Sequence, residues 1–198
     1  MHTKISTTTD DVKPHRTSPE AASPGGGNGE PAMRHAVANP TTSPAVPRLD
    51  TGTQPWVPLS TSGLSMKLIA VLPGDAGYHL LLRLEPGTVI PRHRHTGEVH
   101  AFNLSGHRLL LDTGERIGPG TYVHEPAGNV DSWQAVGDEP CVVHVVAHGR
   151  VEYLDELGRV TRHTDAGTAR RTHLAWCAEH GVAPHPSLAG VSLAEALP

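Results

Sequence analysis

The chain has 198 residues, 37% of them apolar, and a formal net charge of −4 with no long run of one sign. That balance argues against nucleic acid as a partner, because phosphate binding needs a concentrated basic face. Residues 1–20 lack the apolar stretch of a signal peptide, and no apolar run approaches the ~18 residues of a membrane span, so a cytoplasmic protein with no membrane partner is expected.

Residues 1–52 are rich in Thr, Ser, Pro, Gly and Asn, with SerProGlyGlyGlyAsnGly at 23–29. Such a segment has too little apolar surface to offset the entropy of ordering, and a disordered leader is expected. From Trp56 onward the pattern changes. Short apolar runs at 66–72 and 78–84 are separated by the turn ProGlyAspAlaGly. In the second run Leu80, Leu82 and Leu84 alternate with Leu81 and Arg83, the period of a strand. GluProGlyThr at 85–88 is a further turn. Runs at 99–105, 109–111, 121–125, 142–147 and 151–154 follow, each bounded by Gly, Pro, Asp or Asn. Many short strands with a turn every ~8–12 residues predict an all-β sandwich or barrel. Thr164 or Asp165 is placed to cap a helix running to about His180, with Gly181 just past it. Leu174, Ala175, Cys177 and Ala178 are then the residues expected to face the strands. Cys141 and Cys177 are too few and too far apart for a disulfide framework and read as packed thiols.

Histidine is the unusual residue. Of fifteen in the chain, seven (His93, His95, His100, His107, His124, His144 and His148) fall between Gly87 and Gly149. His93 and His95 are two apart, so on a strand they share a face. Two imidazoles buried on one face are costly unless something binds them. A divalent metal ion, accepting both neutral ring nitrogens, removes that cost and leaves Arg94 in solvent. Glu98 and His100 flank Val99 and face away from the interior on an ideal strand, although a bulge could turn either inward. His124 reads as a wall or exposed residue that could also serve as a ligand. His144 and His148, four apart, share a strand face. Trp56, Phe102, Tyr122 and Trp133 are expected in the core or lining a pocket.

Two segments carry a family resemblance. The first is ProArgHisArgHisThrGlyGluValHisAlaPheAsnLeuSerGly at 91–106, with five residues between Gly87 and His93. The second is ProGlyThrTyrValHisGluProAlaGly at 119–128, followed by Asp131. Together they resemble the two motifs of the cupins, and more closely the 2,4'-dihydroxyacetophenone dioxygenase branch, itself similar to the acetylacetone-cleaving and ChrR-like cupins. The resemblance covers about residues 55–160. It implies a double-stranded β-helix, or jelly-roll, barrel at 53–162, after the leader at 1–52 and before a helical extension at 163–198. It also implies one non-haem Fe(II), with Zn, Mn or Ni as alternatives. In that branch three histidines hold the metal. His93 and His95 match the first two, and the third position is occupied here by Asp131. Two histidines and a carboxylate form the facial triad of oxygen-activating iron enzymes, which leaves positions open for substrate and O₂.

The leading expectation is therefore a cupin dioxygenase that takes a small aromatic ketone or diketone-like substrate and O₂ and cleaves a C–C bond, with His100 or His124 moving protons. A second reading is a non-redox metal cupin: an isomerase, cyclase or hydrolase. A third is a regulatory cupin like the ChrR anti-sigma proteins, whose N-terminal segment supplies a Cys/His zinc site; no Cys precedes Cys141 here. The resemblance makes a homodimer the expected assembly.

Overall fold

In the computed structural model, which describes residues 48–60 and 62–189, turn residues divide the chain into short strands and one long helix. Among the described residues the strands are β1 (Val57–Pro58), β2 (Leu64–Val71), β3 (Gly77–Leu84), β4 (Val89–His95), β5 (Val99–Ser105), β6 (His107–Leu110), β7 (Arg116–Ile117), β8 (Tyr122–Glu125), β9 (Val130–Val136), β10 (Cys141–His148), β11 (Val151–Leu154) and β12 (Val160–Thr164). Helix α1 spans Ala166–Glu179. Residues 1–47, which hold most of the expected leader, lie outside the described residues.

The strands form two six-stranded sheets, ordered β1-β2-β3-β10-β5-β8 and β12-β11-β4-β9-β6-β7. This corrects the expectation of a closed barrel. Among the described residues no ladder joins one sheet to the other, and each sheet keeps two edges. Two of the edge strands, β1 and β7, are only two residues long, and Pro58 has no N–H to offer a further strand. A pattern of short strands and turns is compatible with either arrangement. Hydrogen bonding between distant edges decides it, and that is not written in local periodicity.

The sheets pack face to face. Leu84, Ala101, Cys141 and Val143 of the first sheet meet Ile90, Trp133 and Ala135 of the second in one buried cluster. A second cluster joins Met66, Leu68, Tyr78, Leu80, Val99 and Ala147 to Ala166 and Ala169 of α1. Each fully buried Leu or Met contributes about 1.5–3 kcal/mol relative to exposure. Cys141 and Cys177 are free, buried thiols, as expected. Gly106, between β5 and β6, has φ +61°, and a Cβ there would come within 2.4 Å of the Pro140 carbonyl oxygen. Only glycine fits this turn.

Helix α1 starts where the sequence places its cap. The Asp165 side chain accepts from the Thr168 N–H at 2.7 Å, and Gly181 follows the last turn at φ +64°. The buried face is Ala166, Ala169, His173 and Cys177. Of the four residues expected to face the strands, only Cys177 does; Leu174 is half-buried, and Ala175 and Ala178 are exposed. Phe102 and Tyr122 are likewise on the surface. Phe102 lies between buried Ala101 and Asn103, and the alternation of the strand turns it outward.

Candidate metal centre

Strand β4 carries His93 and His95, and both are 4% exposed. The strand is held between β9 and β11, with His93 directly opposite Asp131 on β9. Alternation turns Arg94 outward, where it pairs with Glu152, which Arg150 also grips. The structure therefore brings the three expected ligands together: one ligand atom from each of His93, His95 and Asp131 lies within 4.8 Å of the others.

The hydrogen bonding of these groups is incomplete in an informative way. Nδ1 of His93 lies 2.9 Å from the Pro91 carbonyl oxygen. A carbonyl only accepts, so Nδ1 carries the proton and Nε2 of the neutral ring holds a lone pair. That Nε2 sits 3.1 Å from Oδ1 of Asp131, an oxygen with no hydrogen-bond partner. Similarly, Nε2 of His95 lies 2.8 Å from Oε2 of Glu125, yet off the direction a hydrogen bond needs. Ligand atoms at ~2.1 Å from one ion and at right angles are about 3 Å apart, the spacing seen here. Electron pairs facing one another in a buried site need a cation between them. The donor set of imidazoles and carboxylates fits an Fe(II)-type ion.

Charge points the same way. Burial, reinforced by His95, pushes His93 down to about 4, so its ring is neutral at pH 7. Burial and the neighbouring Glu125 raise Asp131 above the usual carboxylate range. Burial also opposes ionisation of Glu125, but His95 and Arg108 outweigh it and hold this carboxyl below its ordinary value. Arg108 on β6 is 2% exposed, lies 4.0 Å from Glu125 and stacks over Trp133 at 5.0 Å. Among the described residues it is the only guanidinium lining the cavity, facing two carboxylates.

Glu125 and Arg108 were not foreseen. Alternation along β8 contained the signal for Glu125: if Tyr122 and His124 face out, Val123 and Glu125 face in. Arg108 offered none, because an Arg within a short strand ordinarily reads as exposed.

His100 and His124 lie elsewhere. They sit opposite each other on β5 and β8, between residues that face inward, and neither lines the cavity. Glu98 meets both at the outer surface.

The cavity beside the cluster has a volume of about 120 Å³. Leu80, Leu82 and Val145 form one wall, Ile90, Trp133 and Tyr153 the other, and Thr168, Ala169 and Thr172 of α1 line part of it. Its polar lining is His93, His95, Glu125, Arg108 and a few threonine and tyrosine hydroxyls, and the rest is apolar, as suits a compact, mainly apolar ligand.

Residues 46–152 match the ChrR Cupin-like domain family. The chain is a cupin of that family. Among solved structures, this cupin is similar to an RmlC-like cupin protein from Ralstonia eutropha JMP134, with TM-score 0.66 and 23% identity over 71% of this chain and 92% of that one. A protein of unknown function with a cupin-like fold, from the same organism, matches with TM-score 0.65 and 21% identity over 74% and 97% of the two chains. An acetylacetone dioxygenase from Acinetobacter johnsonii matches with TM-score 0.58 and 16% identity over 68% and 93%. At these identities the likeness shows the shared fold. Among curated proteins none matches. No helix among the described residues is long and apolar enough to cross a membrane.

Proposed function

We propose that this cupin is a mononuclear non-haem iron dioxygenase that cleaves a C–C bond in a small ketone or diketone-like substrate. The observation that carries the proposal is the lone pair of His93 Nε2 facing the unpartnered Oδ1 of Asp131 across 3.1 Å, with His95 beside them. His93, His95 and Asp131 are the proposed ligands. When bound, the ion would supply Lewis-acid and redox chemistry at positions left open for substrate and O₂. The fold of the acetylacetone dioxygenase supports this choice of substrate class.

The remaining groups act through position and charge. The Pro91 carbonyl fixes the tautomer of His93 and aims Nε2 inward. Glu125 abuts His95 and restrains its ring, while Arg108 offsets the second carboxylate. Arg108 is also suited to holding an anionic oxygen of an enolised ketone, since two of its nitrogens, Nε and Nη2, have no partner. Ile90, Trp133, Leu82 and Val145 exclude water and would orient an apolar substrate.

The test is anaerobic loading with Fe(II), desalting, and measurement of bound iron and oxygen uptake with diketones and aromatic ketones. We expect about one iron per chain and substrate-dependent oxygen uptake, both lost in Asp131→Ala. Bound iron without oxygen uptake across the substrate panel would favour the non-redox reading. No bound metal would overturn both.

We further propose a cytoplasmic homodimer. The free thiols suit a reducing compartment, and the open sheet edges need cover. Light scattering on the eluting protein reads the assembly directly, and a monomer refutes the dimer.

A further inference from the structure

The outward face of the first sheet carries a second cluster, remote from the roles just described. Glu98 precedes β5, His100 lies on β5, and His124 is its direct cross-strand partner on β8. Directly opposed side chains have Cβ atoms ~4.5–5.5 Å apart, a spacing from which two imidazoles reach one point. The two rings are stacked, with centroids 5.2 Å apart and 26° between planes. Both Nε2 atoms meet the same carboxylate: His124 at 3.3 Å from Oε2 of Glu98, and His100 at 3.6 Å from Oε1. One ligand atom from each of the three residues lies within 4.8 Å of the others.

We propose that Glu98, His100 and His124 form a second metal site, for a divalent transition cation such as Zn(II). In a tetrahedral centre with bonds of ~2.0–2.1 Å, ligand atoms are about 3.3 Å apart, close to the two separations observed. Charge-assisted hydrogen bonds are shorter, at ~2.7–2.9 Å, so a direct bond accounts poorly for the 3.6 Å contact. The second ring nitrogen of His100 is engaged: Nδ1 lies 2.6 Å from the Tyr122 hydroxyl oxygen. With Nδ1–H donating to that oxygen, Nε2 is left as a lone pair aimed at the carboxylate, the arrangement that orients metal-bound histidines. The half-exposed site leaves its fourth position to water, or to His148, whose ring lies edge-on to His100 at 6.3 Å. Imidazole nitrogens and one carboxylate suit Zn(II) over Mg(II) or Ca(II), which prefer all-oxygen shells.

This site stands independently of the reaction proposed for the inner one, and its test separates the two. Equilibrium dialysis against Zn(II) would be run on the full chain carrying His93→Asn and His95→Asn, so that only the outer site remains. We expect one bound equivalent, and an apparent Kd raised at least about tenfold when Glu98→Gln or His124→Asn is added. If the inner-site variant does not fold, the same measurement on the otherwise native chain should fall from two equivalents to one on adding either outer substitution. Zn(II) binding unchanged in both outer variants overturns the proposal, as does the absence of an outer equivalent in folded protein.

Discussion

Two histidine pairs in this cupin differ chiefly in which way their strands turn them. His93 and His95 lie 4% exposed between the sheets, whereas His100 and His124 lie on the outside of the first sheet with side chains 35% and 46% exposed. Both pairs have a carboxylate at hand. Inside, each partner is desolvated, so an unmatched lone pair or charge is costly and the arrangement is tightly constrained. Outside, water satisfies whatever the protein does not, and the same residue types carry little weight in stability.

Substitutions should make that contrast measurable. The largest expected effect is at Arg108: Arg108→Met leaves Glu125 buried beside Asp131 without its cation and should destabilise the metal-free protein by about 3–5 kcal/mol in urea unfolding. A loss below about 1 kcal/mol would show that water reaches the inner site. Next is Glu125→Gln. It keeps the shape but removes the charge that restrains His95, and Fe(II) affinity should fall about 10–100-fold in a competition titration, with the fold unchanged in circular dichroism.

Asp165→Ala tests the helix that lines the cavity. Loss of the cap should cost about 1 kcal/mol at neutral pH. The Thr168 N–H and hydroxyl hold the Asp165 carboxyl below its usual range. The cap therefore contributes fully above the unfolded pKa of ~3.9 and is lost as pH falls through the lower folded value. The stability gap between native and variant chains should close in strong acid; a gap independent of pH would assign the loss to packing. The smallest effect belongs to the outer face, where His124→Asn without metal should change stability by less than about 0.5 kcal/mol.

Much of the inner site is legible as sequence because it rests on short-range rules. The period of two puts His93 and His95 on one face, and the turn at 126–129 sets Asp131 at the start of β9, opposite His93. Asp165 announces the start of α1 by the same local chemistry. The strand containing Asp131, Trp133 and Ala135 has no continuous apolar run to mark it, because Ser132 and Gln134 interrupt its apolar residues. Its alternation is that of a strand with one buried face.

Sequence by itself determined the β class, the capped helix and the histidine pair, because each follows from the chemistry of residues a few positions apart. Only the tertiary structure decided that the strands form two open sheets, that Arg108 is buried against Glu125, and which of the two alternating faces of β8 turns toward His95. Those outcomes depend on how distant edges pair and on what the opposite sheet presents, and no local periodicity encodes either.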